Sequence, residues 1–195
     1  MPKKYSREEK ENIRKDLIRL AQRSLFHKGV KGTSVDELVR AACIPKGTFY
    51  LFYKTKEELY FDVLRSFTAR MQEDMLAMLQ ELDENHIVTS LTTVFFYLVE
   101  NIYRNGIYKL LHEEEMMIIS RKSSQDIYHD ELARLFSFFR ELFSYFAIDD
   151  SDDIAAFIQA FLCLIYSMDS AQRMKNPLEA WKLLLRGLML QLVGE

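Results

Sequence analysis

Glycine, proline and cysteine are scarce in this sequence. Six glycines and three prolines occur in 195 residues, and folds built from strands and tight turns normally need more of both. The two cysteines, Cys43 and Cys163, form neither a CxxC motif nor the cysteine–histidine spacing of a zinc site. Two isolated thiols fit a reducing cytoplasm better than a disulfide-bonded secreted domain. We therefore predict a helical protein with no metal and no cofactor.

The sequence pattern predicts neither a signal peptide nor a transmembrane helix. The first ten residues, "MPKKYSREEK", lack the apolar core of a signal peptide. The most apolar run, residues 154–168, is 15 residues long. As a helix it would reach about 22 Å, which is less than the roughly 30 Å hydrocarbon core of a bilayer. The pattern predicts a soluble, cytoplasmic protein with no membrane partner.

Charge is distributed unevenly along the chain. Residues 1–56 contain 14 Lys and Arg against 6 Asp and Glu, whereas residues 57–195 contain 12 against 23. A basic segment followed by an acidic one indicates that the basic segment binds a polyanion. The alternative is a solvated, charged face on the first helix.

Helix-start signals recur along the chain. Three capping boxes, in which Ser or Thr is followed three residues later by Glu, begin at Ser6, Ser34 and Thr55. Together with the apolar periodicity, these signals predict nine helices and no strands. We predict a domain of three short-to-medium helices over residues 1–54 and a domain of six helices over residues 55–195.

The aromatic stretch 46–53 has two different faces when it is built as a helix. Its inner face is aromatic and suits packing on the two preceding helices: Phe49, Phe52 and Tyr53. Its outer face combines a cation, a bare backbone, a phenol and an isobutyl group: Lys46, Gly47, Tyr50 and Leu51. The major groove of DNA offers phosphates, base-edge acceptors and thymine methyls. Because two short helices joined by a tight turn form a helix-turn-helix, the outer face is predicted to bind double-stranded DNA.

Residues 32–59, "GTSVDELVRAACIPKGTFYLFYKTKEEL", resemble the DNA-binding segment of TetR-family transcriptional repressors. The typical family pattern has a G-T pair, an A-A-G turn, a K-G pair before an aromatic residue and a final K-E-x-L. The resemblance implies an all-α fold in which a three-helix helix-turn-helix domain precedes a six-helix ligand-binding and dimerisation domain. It also implies a homodimeric repressor that binds an inverted-repeat operator and is released by a hydrophobic small-molecule effector.

The resemblance further implies roles for individual residues. Thr33 and Lys56 would bind phosphates at the starts of the second and fourth helices. The third helix would contact the groove and the DNA backbone through four residues: Lys46, Gly47, Thr48 and Tyr50. Leu51 is added to this set because it lies on the same outer face of the helix.

Two positions depart from the family pattern. Cys43 stands where the family has its turn glycine, and Phe52 stands where many members have histidine. If position 43 needs a positive φ, the cysteine costs on the order of 1 kcal/mol. A role for Cys43 in redox sensing is the alternative, and it would need a thiol activated by its surroundings.

In this family the middle helices enclose the effector pocket and the last two helices form the dimer. Aromatic residues, methionines and one acid would line the pocket here: Phe95, Tyr103, Tyr108, Glu113, Met116 and Met117. Apolar stripes on the last two helices would form the dimer interface: Phe157, Phe161, Leu164, Met168, Trp181, Leu185 and Leu188. For both sets, ordinary core packing within one subunit is the alternative.

Two other classes of protein remain open from the sequence. Asp83 with His86, and Asp126 with His129, place a carboxylate and an imidazole one helical turn apart, as in metal-dependent helical-bundle enzymes. A protein-interaction module is the second alternative. No Ser-His-Asp set and no phosphate-loop motif occurs in the sequence, so we predict no catalytic residues and no enzyme activity.

Overall fold

Helices account for the regular secondary structure in the described residues of the computed structural model, which confirms the all-α prediction. The structure describes residues 5–81, 84–111, 125–146, 148 and 151–193. Over these ranges the α-helices are α1 (Arg7–Lys28), α2 (Val35–Ala41), α3 (Lys46–Phe49), α4 (Lys56–Leu79), α5 (Ile87–Arg104), α6 (Tyr108–Leu111), α7 (Gln125–Ser144), α8 (Ser151–Tyr166) and α9 (Pro177–Val193). Two 3-10 helices, Glu84–His86 and Ser167–Arg173, precede α5 and follow α8.

Reciprocal hydrogen bonds fix the starts of α1 and α2, as the capping boxes predict. The Ser6 N–H donates to Glu9 Oε2 at 2.7 Å, and the Glu9 N–H donates to Ser6 Oγ at 3.1 Å. The same pair of bonds joins Ser34 and Glu37, at 3.1 and 3.2 Å. Each box satisfies N–H groups that a helix start leaves without partners in the helix, so these four residues set where the two helices begin.

The chain divides into two compact units. The first comprises Met1–Ser66 with Asn105–Gln125, and the second comprises Phe67–Arg104 with Asp126–Glu195. The first eleven residues of α4 therefore belong to the first unit. The functional boundary predicted between residues 54 and 55 stays a prediction, because compactness is a property of packing and not of function.

In the first unit, α2 contacts both α1 and α3 around a small apolar core. Leu17 and Leu25 of α1 are fully buried, and so are Phe49 of α3 and Leu59 and Tyr60 of α4. Because one side of α3 is used in this core, only its opposite side is available to another molecule.

The turn before α6 is held against the end of α1 within the same unit. Gly106 has a φ of 69°, and a Cβ added there would come within 2.8 Å of the Phe26 Cα. Lys109 Nζ donates to the Phe26 carbonyl at 2.5 Å, and Gln22 Nε2 donates to Asn105 Oδ1 at 3.0 Å. These contacts explain why a segment distant in sequence belongs to the first unit.

In the second unit, α5 packs against α9, and α9 packs against α8. The fully buried ring of Phe95 stacks on Phe139 and Phe143, with centroid distances of 5.7 and 5.5 Å, and meets Phe157 edge-on at 5.1 Å. Such stacked and edge-on pairs stabilise a core beyond the area they bury. Much of the aromatic content of the sequence is therefore core.

One helical stretch in the described part of the chain, Asp153–Ala171, is long and apolar enough to cross a membrane by length and composition alone. It covers 19 residues because the 3-10 helix continues α8, so it exceeds the 15-residue run seen in the sequence. Its length therefore does not exclude a membrane span, contrary to the prediction. About 39% of its most apolar window is buried inside the chain, and core helices of soluble proteins pass the same test.

Candidate nucleic-acid interface

A tight turn with one left-handed residue joins α2 to α3. Cys43 has a φ of 54°. Its N–H donates to the Arg40 carbonyl at 3.2 Å, and the Ile44 N–H donates to the Val39 carbonyl at 3.0 Å. These two bonds form a Schellman motif, which ends a helix and usually places glycine at the left-handed position. Position 43 thus does need a positive φ, and the cysteine there is strained.

Replacing Cys43 with glycine is expected to raise the free energy of unfolding by about 0.5–1 kcal/mol. Glycine relieves the clash between Cβ and the backbone, although the larger entropy of the unfolded chain reduces the gain. The thermal midpoint followed by circular dichroism should rise by roughly 1–4 °C. Cys43→Ala keeps the Cβ and is the matched control. An equal rise in both variants would contradict strain at this position.

α3 separates a buried side from a solvent-facing side at the predicted spacing. Phe49 and Tyr53 are buried, whereas Tyr50 and Leu51 expose 51% and 66% of their surfaces. Gly47 is exposed as well, and a Cβ built there would have no heavy atom within 4 Å. Two large exposed side chains beside an open stretch of backbone form a surface suited to contact with another molecule.

α3 is shorter than predicted, because it spans Lys46–Phe49 instead of residues 46–53. After Phe49 the hydrogen bonds tighten: the Leu51 N–H donates to the Thr48 carbonyl at 3.1 Å, and the Phe52 N–H donates to the Phe49 carbonyl at 3.0 Å. Bonds between residues three apart are typical of a tightened last turn. The side chains keep their helical phase through this turn, although Phe52 is only half-buried.

Lys46, at the start of α3, is paired with an acid of α2. Its Nζ lies 2.9 Å from Asp36 Oδ1 and 3.0 Å from Oδ2. The hydrogen bond with Asp36 raises the pKa of the Lys46 ammonium group. Both side chains are more than half exposed. Lys46 therefore stays charged at neutral pH and remains accessible to a phosphate.

The two residues that the resemblance assigns to phosphates form hydrogen bonds inside the protein. Thr33 is buried, and its hydroxyl donates to the Gly29 carbonyl at 2.8 Å and lies 2.6 Å from Ser24 Oγ. Lys56 Nζ donates to the carbonyls of Val30 and Thr33 at 2.7 and 2.8 Å. The burial of Thr33 argues against a phosphate contact by its hydroxyl. Lys56 keeps one of its three N–H donors for such a contact.

Thr48 lies on the inner side of α3. It is buried, and its hydroxyl shares a hydrogen bond with the Tyr5 hydroxyl at 3.1 Å. Its own N–H donates to the Pro45 carbonyl at 2.8 Å, which closes the first turn of α3. The predicted groove contact by the Thr48 side chain does not fit this position. Thr48 instead ties the amino-terminal segment to α3.

The Asp62 carboxylate of α4, which no sequence pattern marked, joins α4 to α1 and to Tyr53 in the segment between α3 and α4. Asp62 Oδ2 accepts hydrogen bonds from Arg14 Nε at 3.1 Å and from the Tyr53 hydroxyl at 3.0 Å. Burial raises the pKa of the Tyr53 phenol, and the negative charge of Asp62 raises it further. The phenol therefore remains a donor at neutral pH. No spacing in the sequence marks this set, because Arg14 and Asp62 are 48 positions apart.

Six of the seven residues predicted for the dimer interface are buried within one chain. The seventh, Leu188, is half-buried, and each of the other six exposes 6% or less of its surface: Phe157, Phe161, Leu164, Met168, Trp181 and Leu185. Their burial argues against an interface role for these six, because a side chain buried in its own subunit has little surface left to cover a partner. The alternative, that the stripes form the core of the second unit, fits the structure.

A second face of α9 is exposed. Leu183 and Leu184 expose 73% and 56% of their surfaces, and Ala180, Gly187 and Gln191 are exposed on the same side. We call these five residues the outer face of α9. A Cβ added at Gly187 would have no heavy atom within 4 Å. Packing within the described part of the chain therefore does not require a glycine there, although glycine weakens a helix interior.

Of the six residues predicted for an effector pocket, the structure describes three: Phe95, Tyr103 and Tyr108. Phe95 is part of the stacked phenylalanine cluster, and Tyr103 packs edge-on against Trp181 at a centroid distance of 4.9 Å. Both belong to the second unit, whereas the buried Tyr108 belongs to the first. The remaining three lie outside the described residues: Glu113, Met116 and Met117. Core packing, the alternative, fits Phe95 and Tyr103.

A groove of about 840 Å³ runs between α7 and α8. Charged and branched apolar side chains line it, including Arg140, Glu141, Ile148, Ile154, Ile158 and Leu162. None of the three predicted pocket residues that the structure describes, Phe95, Tyr103 and Tyr108, lines this groove. Its volume lies within the range of small-molecule sites, which is about 300–1,000 Å³.

The carboxylate–imidazole pairs considered for a metal enzyme gain no support from the structure. Among the residues that the structure describes, no group of three or more His, Cys, Asp or Glu side chains is arranged to hold a metal ion. Asp83 lies outside the described residues, and so do the side chains of Asp126 and His129.

In the described residues, two short helices joined by a Schellman turn, with the outer side of the second helix facing solvent, form a helix-turn-helix, which is the arrangement of a large class of DNA-binding proteins. Residues 17–63 match the family described as bacterial regulatory proteins, tetR family. The HTH-type transcriptional repressor DhaR of Mycobacterium sp. (strain GP1) is 28% identical over 69 residues, which are 35% of this chain and 35% of that protein. This likeness therefore spans about a third of the relative's length.

Solved structures with a similar fold cover nearly the whole chain. A proposed TetR-family transcriptional regulator of Mesorhizobium loti MAFF303099 has a TM-score of 0.65 and 19% identity, covering 97% of this chain and 98% of that one. A TetR-like transcriptional regulator of Rhodococcus sp. RHA1 has a TM-score of 0.61 and 17% identity, covering 98% and 100%. Residues 17–63 thus match the DNA-binding segment of the TetR family of bacterial transcriptional regulators, and the chain as a whole has a fold similar to that of TetR-family structures. Regulators of this family bind operator DNA and dimerise, and in general they are not enzymes.

Proposed function

We propose that this chain represses transcription by binding an inverted-repeat operator as a homodimer, and that a small hydrophobic molecule releases it. The DNA-binding part rests on the outer side of α3, where Gly47, Tyr50 and Leu51 face solvent beside Lys46. Large exposed side chains grouped in this way are typical of an interaction surface. The name of the relative DhaR supports repression over activation.

In the proposed complex the outer side of α3 enters the major groove. Tyr50 and Leu51 contact base edges, and Leu51 suits the methyl group of thymine. Gly47 lets the helix backbone approach the DNA closely. Lys46 bonds a phosphate, which adds affinity without sequence information. Lys56 adds a weaker phosphate contact through its remaining N–H.

Two buried threonines support this surface from behind. The Thr33 hydroxyl holds the loop between α1 and α2, and the Thr48 hydroxyl holds Tyr5 against α3. We propose that both act by positioning the DNA-contacting residues, in place of the direct contacts that the resemblance implies.

Tyr50→Ala is expected to lose discrimination at one or two base pairs per half-site, by about 1–3 kcal/mol each. The phenol faces outwards and carries no charge, so its loss should leave the salt dependence of binding unchanged. Both variants are compared on operator and unrelated DNA. Lys46→Met is the matched contrast, because it should weaken operator binding and reduce its salt slope by about 1 without changing which base pairs are preferred. Equal loss on both DNAs with Tyr50→Ala would show that Tyr50 does not read bases.

The operator can be obtained by selection. A randomised duplex library is incubated with the full chain, and the bound sequences are recovered and sequenced. A dimer with two helix-turn-helix units is expected to select an inverted repeat with half-sites one helical turn or a multiple apart. Selection of single, unrepeated sites would contradict the dimer, and recovery of no preferred sequence would contradict the proposed function.

We place the proposed dimer interface on the outer face of α9 and the exposed side of α8. α8 exposes small or polar residues at helical spacing, namely Ala156, Gln159 and Cys163, and α8 packs beside α9. Small side chains and a helix glycine allow helices to approach closely. Two such helices from each chain would form a four-helix interface in which the same patch meets itself.

The effector part of the proposal is supported by the groove between α7 and α8. Branched apolar residues such as Ile154 and Ile158 favour a hydrophobic ligand, and Arg140 and Glu141 offer charges that would orient it. A thermal-shift screen of hydrophobic compounds, followed by release of a labelled operator, tests this part. A stabilising compound that leaves the operator bound would contradict the role of effector.

Because the proposed target of the protein is DNA, we propose that the protein works in the cytoplasm.

A further inference from the structure

The first turn of α2 carries two carboxylates, and each holds a lysine from a neighbouring helix. Asp36 pairs with Lys46 of α3 at 2.9 Å, and Glu37 pairs with Lys28 of α1 at 2.6 Å. Glu37 has a structural task, because it also accepts the Ser34 N–H that completes the capping box. Asp36 makes no hydrogen bond to the backbone of α2 among its described contacts, which reach only Lys46.

The Asp36 carboxylate lies beside the ammonium group that, in the proposed function, meets a phosphate. A phosphate backbone offers negative charge and no donors, so it competes with Asp36 for Lys46 and repels the carboxylate. A base edge differs, because the amino groups of cytosine and adenine can donate to a carboxylate. The Asp36 carboxylate therefore weakens binding to any DNA. A hydrogen bond from a base amino group offsets part of this loss, and only sequences with such a base at the right position provide it.

We propose that Asp36 is a specificity-determining residue, which holds Lys46 and so lowers the affinity for unrelated DNA more than the affinity for the operator. The proposal rests on the proposed function. Non-specific binding comes almost wholly from phosphate contacts. On unrelated DNA no base donor is fixed beside Asp36, so Lys46 stays paired and its phosphate contact is lost. On the operator the amino group of a cytosine or adenine can donate to Asp36, which releases Lys46 to a phosphate.

Asp36→Asn tests the proposal, with the full chain, the selected operator and a scrambled duplex of the same length. Binding of each labelled duplex is measured over a series of salt concentrations. The variant is expected to bind the scrambled duplex roughly three- to tenfold more tightly at low salt, with a salt slope steeper by about 1. Operator affinity should change by less than about twofold, so the ratio of the two affinities should fall.

Asp16→Asn is the matched control for net charge. Asp16 is an exposed acid paired with Arg19 on α1, at 2.9 Å and with about half of its side chain exposed. An effect of net charge alone would raise the affinity for both duplexes equally in both variants. Equal behaviour of Asp16→Asn and Asp36→Asn would overturn the proposal.

A double-mutant cycle separates a role through Lys46 from a general electrostatic role. In a Lys46→Met background, Asp36→Asn should no longer raise the affinity for the scrambled duplex. An unchanged effect in that background would overturn the inference. Asp36→Ser serves as a second variant if Asp36→Asn unfolds, and circular dichroism checks that each variant is helical. Failure of the wild-type chain to bind any duplex would instead overturn the proposed function.

Discussion

Glutamate at both Leu183 and Leu184 is expected to convert the proposed dimer into monomers and to remove operator binding. The two leucines are the most exposed apolar side chains of the outer face of α9, and burying two carboxylates without partners is strongly unfavourable. Sedimentation should change from about twice the 23.1 kDa chain mass to a single chain mass. Operator affinity should fall by roughly 10²- to 10⁴-fold, because the two half-sites no longer bind together.

Arg186→Glu is the control for this experiment, because it introduces glutamate at an exposed position of α9 outside the outer face. It should remain dimeric. The double variant should also keep its helical circular dichroism, since both leucines lie outside the core. A folded monomer that still holds an inverted repeat with wild-type affinity would refute the proposed interface. Charged residues at Phe161 or Trp181 would be uninformative, because both are buried.

Gly47→Ala is expected to change stability and DNA binding in opposite directions. An alanine methyl at this position meets no atom of the protein within 4 Å, and alanine favours the helix, so the free energy of unfolding should rise by up to about 0.5–1 kcal/mol. If the backbone of α3 approaches DNA here, the same methyl group displaces it. Operator affinity should then fall by at least roughly tenfold, the effect of losing one good contact of about 1–3 kcal/mol.

Gly187→Ala provides the reference for the stability effect, because it is also a helical glycine with open space around its Cβ position. Thermal unfolding and operator binding are measured on the same preparations. If Gly47→Ala stabilises the chain and leaves operator affinity unchanged, the backbone at Gly47 does not approach the DNA. If it destabilises the chain, the glycine serves the fold instead.

Local signals in the sequence were sufficient for the helix starts and for the orientation of α3. Ser6 and Ser34 form the predicted capping boxes because the bonds involve residues only three apart. Tyr50 and Leu51 face outwards because helical phase is a local property of the backbone. The strain at Cys43 was predictable for the same reason, since a left-handed residue is part of the turn itself.

The side of α8 and α9 that forms the core was not predictable from periodicity. α9 has an apolar stripe that includes Trp181 and Leu185 and a second that includes Leu183 and Leu184. Both have helical spacing, so the pattern does not say which stripe packs on α5. The contacts of Thr33, Lys56 and Asp62 were missed for a related reason, because their partners become neighbours only after the helices have packed.

Aromatic density likewise does not distinguish a cavity from a filled core. Phe95 lies among other phenylalanine rings that fill the surrounding space. The groove that the structure does contain is lined mainly by aliphatic and charged residues of α7 and α8. The groove exists because α7 and α8 are separated by a gap, and no sequence pattern predicts the distance between two helices.

The hydrogen bonds of Lys56 and Asp62 determine where this chain can be cut and joined to a part of another regulator to make a hybrid protein. A fragment that ends at residue 54 lacks both side chains, so the carbonyls of Val30 and Thr33 and the side chain of Arg14 lose their partners. A hybrid protein with a new operator preference therefore needs a junction at or beyond Ser66.

A single junction still leaves the graft incomplete. Gly106 and Lys109 contact the backbone of Phe26 at the end of α1. If α1 is transplanted into a relative, the segment of that relative equivalent to α6 need not have the residues that make these contacts. Exchange of DNA preference between relatives would thus require two segments of the gene to move together. Point substitutions on the outer side of α3 are the shorter evolutionary route to a new operator.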